Sequence, residues 1–186
     1  MSQLIALDGG LLLLIQEHLR AGWMNGFWKG VTSLGDAGLF WIGLSLILLF
    51  FRPTRRAGAA ALISIALCFV CSNLILKHVA ARARPYELFT ALQPLIPRPT
   101  DYSFPSGHTT ASFAAALSYL RMKPGRLAAL AVVLAALIAF SRLYVGVHYP
   151  TDVLGGFLVA FFGSWLVCRW LKGRKTGIIE ENTPSE

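Results

Sequence analysis

Twenty residues, Ala57–Leu76, follow one another without a single charge. As a helix rising 1.5 Å per residue, a run of that length crosses a hydrocarbon core of ~30 Å. Four more apolar runs flank it, Ala37–Phe51, Phe104–Leu120, Leu127–Ser141 and Val153–Cys168. They are shorter, and can span if flanking polar residues snorkel or face a protein interior. Composition agrees, with only 14% charged residues against roughly 25% in an average soluble domain. A soluble fold of 186 residues has too little interior to hide so much apolar surface. An ordinary soluble enzyme, a disordered chain, a collagen-like repeat and a disulfide scaffold are therefore excluded. The expected architecture is all-α, a polytopic membrane helix bundle of five to six transmembrane helices with N-terminal interfacial amphipathic helices.

The N-terminal part differs from the rest. Its apolar stretch Leu11–Ile15 is short, and Asp8, Glu17, His18, Arg20 and Lys29 interrupt the segment. Trp23, Phe27, Trp28 and Val31 recur at helical spacing, which predicts amphipathic helices lying at the membrane surface over residues 1–36. Residues 37–171 are then the transmembrane domain, and 172–186 a polar cytoplasmic tail, disordered over Gly177–Glu186. The first 19 residues contain no Lys or Arg, so no conventional signal peptide is expected. Cys68, Cys71 and Cys168 all sit inside apolar runs and read as packed thiols rather than metal ligands.

Charge placement sets the orientation. Arg52, Arg55, Arg56, Arg121, Lys123, Arg126, Arg169, Lys172, Arg174 and Lys175 lie in three short acid-free segments, on one side of five alternating spans. By the positive-inside rule that side and the C-terminus are cytoplasmic. In a bacterial inner (plasma) membrane, the opposite polar segments then face the periplasm or exterior. The net charge of +8 points to anionic membrane lipids as partners, not to nucleic acid, because the basic residues lie between apolar runs.

On the outer side polar residues cluster where loops meet spans, a costly arrangement that calls for a function. Lys77 and Arg84-Pro85 form the first cluster. Seven residues on one helix is 700°, close to two turns, so both cations are expected on one face, with Pro85 ending the helix. Such a pair suits a multiply charged anion, Arg through its planar fork and Lys as a point charge. Arg82, about 140° away, is expected among lipid headgroups. Pro105-Ser106-Gly107-His108 is the second cluster. Ser106 can cap a helix, Gly107 lets a ligand approach the backbone, and the free N–H groups attract an anion beside His108. Ser141-Arg142 and His148-Tyr149-Pro150-Thr151-Asp152 make the third. Pro150 suits a first helical turn. Asp152, four residues after His148, can fix one imidazole nitrogen and leave the other free to attack.

Taken together and in this order, the three clusters resemble the type 2 phosphatidic acid phosphatase superfamily of integral-membrane lipid phosphatases. Lys77-x6-Arg84-Pro85, Pro105-Ser106-Gly107-His108 and Ser141-Arg142-x5-His148-x3-Asp152 match its three-part signature in full. The resemblance implies that His148 attacks phosphorus to form a phosphohistidine, that Asp152 orients it, and that His108 protonates the leaving oxygen and then helps activate water. It further implies that Lys77, Arg84, Ser106, Gly107 and Arg142 hold the phosphoryl oxygens. No metal and no cofactor are expected, since the cationic side chains already supply positive charge. The expected substrate is a lipid phosphate in the membrane, undecaprenyl diphosphate first. Phosphatidylglycerophosphate, lipid A and transfer to a lipid acceptor are the alternatives, ahead of a non-catalytic lipid-phosphate sensor. On the loop between the first two clusters, Arg98 is an extra cation placed either to reach a second phosphate or to meet headgroups.

Overall fold

The protein, seen here as a computed structural model, is described over residues 3–180, with side chains to residue 173. Among the described residues it is helical, without a strand. Helix α1 (Gln3–Leu14) continues into a π-turn, and α2 covers Gly22–Ser33. A short 3₁₀ turn, Asp36–Gly38, leads to α3 (Leu39–Phe50). The longest apolar run begins as α4 (Arg55–Phe69), widens into a π-segment over Val70–Leu76 and ends as α5 (Lys77–Ala80). A one-turn α6 (Pro85–Leu88) precedes the loop to α7 (Gly107–Met122), which is followed by α8 (Arg126–Tyr144) and α9 (Pro150–Glu180).

Helix α7 is the axle, packed against α4, α8 and α9. Its buried residues are mostly small or hydroxylated, Thr109, Thr110, Ser112, Ala114, Ala115, Ala116 and Ser118, with Phe113 and Tyr119 the large ones. Lipid tails are as apolar as leucine, so helices associate here by close approach and hydrogen bonding rather than by water exclusion. Gly156 shows how close α9 comes, since a Cβ there would stand 2.7 Å from the Ser106 carbonyl oxygen. Trp41 donates its indole N–H to Ser112 at 2.8 Å, Tyr119 pairs with Ser45 at 2.7 Å and Ser118 donates to Ser64 at 2.9 Å. Such bonds are worth about 0.6 kcal/mol each on average, so several together fix the register of the bundle.

Among the described residues, length and hydropathy qualify three helical segments as spans, Arg55–Leu88, Arg126–Tyr144 and Pro150–Gly173. A fourth arises if α2 and α3, bent by 41° across their turn, count as one broken span. With 16 residues, α7 is about 24 Å long, short for a bilayer core but shielded by its neighbours. Helix α9 runs on to Glu180, into the stretch read as a polar tail, and residues 181–186 lie outside the described residues.

The N-terminal helices are built into the bundle. On α1, Leu4, Leu7, Leu11 and Leu14 are exposed, whereas Asp8 and Leu12 are buried on the opposite side. On α2, Trp28 and Val31 belong to the main core, and the Trp28 ring stacks on Tyr144 at 5.3 Å. The Arg20 guanidinium donates to the carbonyls of Tyr144 at 2.7 Å and Gln93 at 2.6 Å, lashing the α1–α2 joint to the end of α8 and to the loop that precedes α7.

Candidate active site

A cavity of about 240 Å³ opens where the C-terminal ends of α4 and α8 meet the N-terminus of α7, lined by Lys77, Arg84, Gly107, His108, Arg142 and His148 among others. Six of the eight residues singled out from the sequence thus share one wall-to-wall space. Ser106 and Asp152 stand just behind it, fully buried.

Lys77 and Arg84 reach this space by a different route from a shared helix face. Ala81 adopts a left-handed φ of +41° and ends α5. Arg84 therefore lies beyond the helix in extended backbone, as the residue preceding α6. Pro85 occupies the first position of α6, and Glu87 accepts the Arg84 backbone N–H at 3.2 Å. The two cations still converge, on Asp101. Arg84 donates to the Asp101 carboxylate at 2.6 Å and to its carbonyl at 2.7 Å, and Lys77 pairs with the other carboxylate oxygen. Burial alone pushes the Asp101 carboxyl up. The bonds and charges of Lys77 and Arg84 outweigh it and hold the group at about 2.

Ser106 accepts from the Thr109 backbone N–H and hydroxyl, so its oxygen caps α7 instead of lining the cavity. Gly107 presents the helix N-terminus to the cavity, an anion-attracting end. Arg142 is 2% exposed and donates to the Thr32 hydroxyl at 2.6 Å. Its Nε, also buried, has no hydrogen-bond partner among the described residues. Lys77, Arg84 and Arg142 bring three positive charges to the cavity against the one negative charge of Asp101, a balance that favours an anion.

His148 stands at the inner wall with its Nδ1 3.5 Å from an Asp152 oxygen, an ion-pair distance longer than a close hydrogen bond. Burial is the largest influence on the imidazole and pushes its pKa down; Asp152 opposes this, while Arg84 and Arg142 add to it. The ring is therefore neutral at neutral pH, the form in which a nitrogen can attack. Asp152 is gripped by other donors. It accepts from the Tyr149 backbone N–H at 2.8 Å, from the Ser103 hydroxyl at 2.5 Å and from Arg82 at 2.7 Å.

Arg82 is a correction to the sequence reading. It does not reach the headgroups. Its side chain is largely buried, bonded to Thr151 at 2.6 Å and Asp8 at 2.7 Å as well as to Asp152, and it lies 4.0 Å over the Tyr149 ring. The left-handed turn at Ala81 redirects it, which a straight-helix projection could not show. Arg98 sits over the Tyr86 ring at 5.2 Å and lines neither the cavity nor its neighbour. His78 lines a second, more open cavity of about 630 Å³, which shares Asn73, Lys77 and Asp101 with the first.

Sequence reasoning missed Asp8, Thr32, Asp36 and Asp101, each touching a residue of the three clusters or its buried partner. The signal available was a weak one. Asp8 and Asp36 are acids within or beside apolar helices, where a charge is costly and calls for a partner. Asp36 accepts from His108 Nε2 at 2.9 Å.

The PAP2 superfamily model matches residues 57–176. The chain is 36% identical to an undecaprenyl-diphosphatase of Sulfolobus acidocaldarius over 158 residues, 85% of this chain and 74% of that one. It is 32% identical to phosphatidylglycerophosphatase B of Bacillus subtilis over 162 residues, 80% of this chain and 76% of that one. The crystal structure of a transmembrane PAP2-type phosphatidylglycerolphosphate phosphatase from Bacillus subtilis superposes with a TM-score of 0.72 at 26% identity, covering 100% of this chain and 90% of that one. With these matches, and with residues from three separated clusters meeting in one cavity, the chain belongs to the PAP2 superfamily of membrane phosphatases.

Proposed function

We propose that this lipid phosphatase hydrolyses a lipid diphosphate of the undecaprenyl diphosphate type, through a phosphohistidine on His148. The observation that carries the reading is the convergence of Lys77, Arg84, Arg142, His108 and His148 on one small cavity. The terminal phosphoryl group sits among the three cations and the Gly107 backbone N–H. A His148 nitrogen forms a bond to phosphorus as the bond to the bridging oxygen breaks. His108 gives its proton to that oxygen, and the lipid monophosphate leaves. Water then attacks the phosphohistidine, His108 accepts its proton, and phosphate is released. Asp152 holds the imidazole in place, and Ser106 holds the N-terminus of α7 at the phosphate. The cations stabilise charge on the phosphoryl oxygens as it develops.

The relatives supply the choice of lipid, since one carries the name undecaprenyl-diphosphatase and another phosphatidylglycerophosphatase B. A diphosphate combines extra negative charge with a better leaving group. The deciding experiment compares kcat/KM for undecaprenyl diphosphate, phosphatidylglycerophosphate, phosphatidic acid and lipid A in detergent. We expect the diphosphate to lead; a tenfold advantage of another lipid, about 1.4 kcal/mol of transition-state binding, overturns the choice. Activity should persist in excess chelator, and vanadate should inhibit.

We propose further that the cavity faces the periplasm or cell exterior of an inner (plasma) membrane. Residues 1–36 then form interfacial amphipathic helices, 37–171 the transmembrane phosphatase domain and 172–186 a polar cytoplasmic tail. The support is the acid-free basic segments at the opposite ends of the helices. A single cysteine at Glu87 should react with an impermeant thiol reagent in intact cells, after outer-membrane permeabilisation where there is one. A cysteine at Lys123 should not react, and the reverse pattern overturns the orientation.

A further inference from the structure

We propose that Asp36 is a positioning residue for His108, so that the α2–α3 junction, outside the region matched by the family model, completes the acid–base half of the site. The inference rests on His108 serving as the general acid, and the experiment below separates the two.

Four observations meet at this junction. Asp36 Oδ1 lies 2.9 Å from His108 Nε2. The turn that delivers it passes through left-handed backbone, strained at Ala37 with φ +50° and accommodated by Gly38 at φ +67°. An alanine pays for a left-handed conformation, and such strain persists only where the surrounding structure holds it. Gly35 leaves the ring its space, for a Cβ there would come within 2.5 Å of His108 Cδ2. One turn earlier, Thr32 accepts from Arg142. The same short stretch therefore fixes two side chains of the phosphate cavity, although it is separated from them by more than seventy residues in sequence.

The chemistry requires such a carboxylate. Lys77 and Arg142 are the cations facing His108, and Asp36 is the anion. A general acid must carry its proton into a cavity built to be cationic, where a protonated imidazole is disfavoured. Asp36 opposes that repulsion, and its contact with Nε2 orients the ring. As the bond from phosphorus to the bridging oxygen breaks, one proton passes from the imidazolium to that oxygen. In the second step one proton returns from the attacking water. Asp36 keeps its negative charge throughout and touches no reacting atom.

The test compares kcat/KM, which reports the step up to departure of the leaving group, for two substrates of the intact membrane protein. Phosphatidic acid expels an alkoxide and needs the proton; p-nitrophenyl phosphate expels a stable phenolate and does not. We expect Asp36→Asn and Asp36→Ala to lose tenfold or more on phosphatidic acid and less than threefold on p-nitrophenyl phosphate, with Asp36→Glu recovering part of the loss. Equal losses on both substrates, or no loss on either, overturn the proposal, because a merely structural role does not sense the leaving group. His108→Ala runs beside them. If it shows the leaving-group dependence and the Asp36 variants do not, the positioning role fails alone. If it shows none, the acid role of His108 fails and the proposal fails with it.

Discussion

The cavity holds two histidines, each with a carboxylate, and the two pairs are built in opposite ways. His148 and Asp152 are both buried, four residues apart at the start of α9, and their carboxylate is gripped by a backbone N–H, Ser103 and Arg82. His108 and Asp36 are brought together from separate helices, and the Asp36 side chain is 66% exposed. In the first pair the carboxylate is held by three donors and the imidazole is enclosed by burial. The second stands at the mouth, where protons can be exchanged with water. A covalent nucleophile needs a fixed line of attack, and an acid–base group needs access and a tunable proton. The difference in burial thus matches the difference in the two proposed tasks.

The largest effect is expected at the buried pair. His148→Ala should lower turnover more than a hundredfold, over about 2.7 kcal/mol of barrier, while the protein stays folded in detergent. A retained rate above a hundredth of wild type would reassign the nucleophile and remove the contrast. His108→Ala should cost less with a diphosphate than with phosphatidic acid, since the better leaving group needs less help. Steady-state kinetics on the two lipids give the ratio, and equal losses would make the two histidines equivalent.

Arg82 sharpens the comparison from the structural side. Replacing it with alanine leaves Asp8, which is 3% exposed, with Thr151 donors but no cation, and takes one donor from Asp152. Breaking a buried pair in this way costs about 3–5 kcal/mol, so Arg82→Ala should lower the thermal midpoint and kcat together. Replacing Asp8 and Arg82 together with asparagine and leucine should recover part of the stability but not the rate. An unchanged midpoint in Arg82→Ala would mean that the anchoring of Asp152 is not what holds this end together.

The smallest effect concerns acid stability. Lys77 and Arg84 hold the folded Asp101 carboxyl at about 2, below its ordinary 3.8. A group depressed in the folded state contributes stability above its unfolded pKa, lost as pH falls through the folded one. The contribution of Asp101 is therefore present above about pH 4 and disappears towards about pH 2. Half exposure screens it, so Asp101→Asn should flatten the acid limb of the melting curve only slightly. A steeper acid limb in the variant would contradict the sign.

Much of this was legible before any coordinates. A charge-free run of twenty residues can only be buried in lipid or protein, and that fixed the all-helical membrane class. Pro105-Ser106-Gly107-His108 and His148-x3-Asp152 carry their geometry locally, through a cap, a first-turn proline and four-residue spacing, so they could be placed on helix starts. Lys77 and Arg84 illustrate the limit. They do converge, yet by way of a left-handed Ala81 that no helical wheel contains. The partners of the clusters were decided by tertiary structure alone. Asp8 meets Arg82 across 74 residues, Asp36 meets His108 across 72 and Thr32 meets Arg142 across 110. Local periodicity records which face of a helix is apolar; which buried charge answers another is set only when the helices pack, because the cost of leaving either one alone arises there.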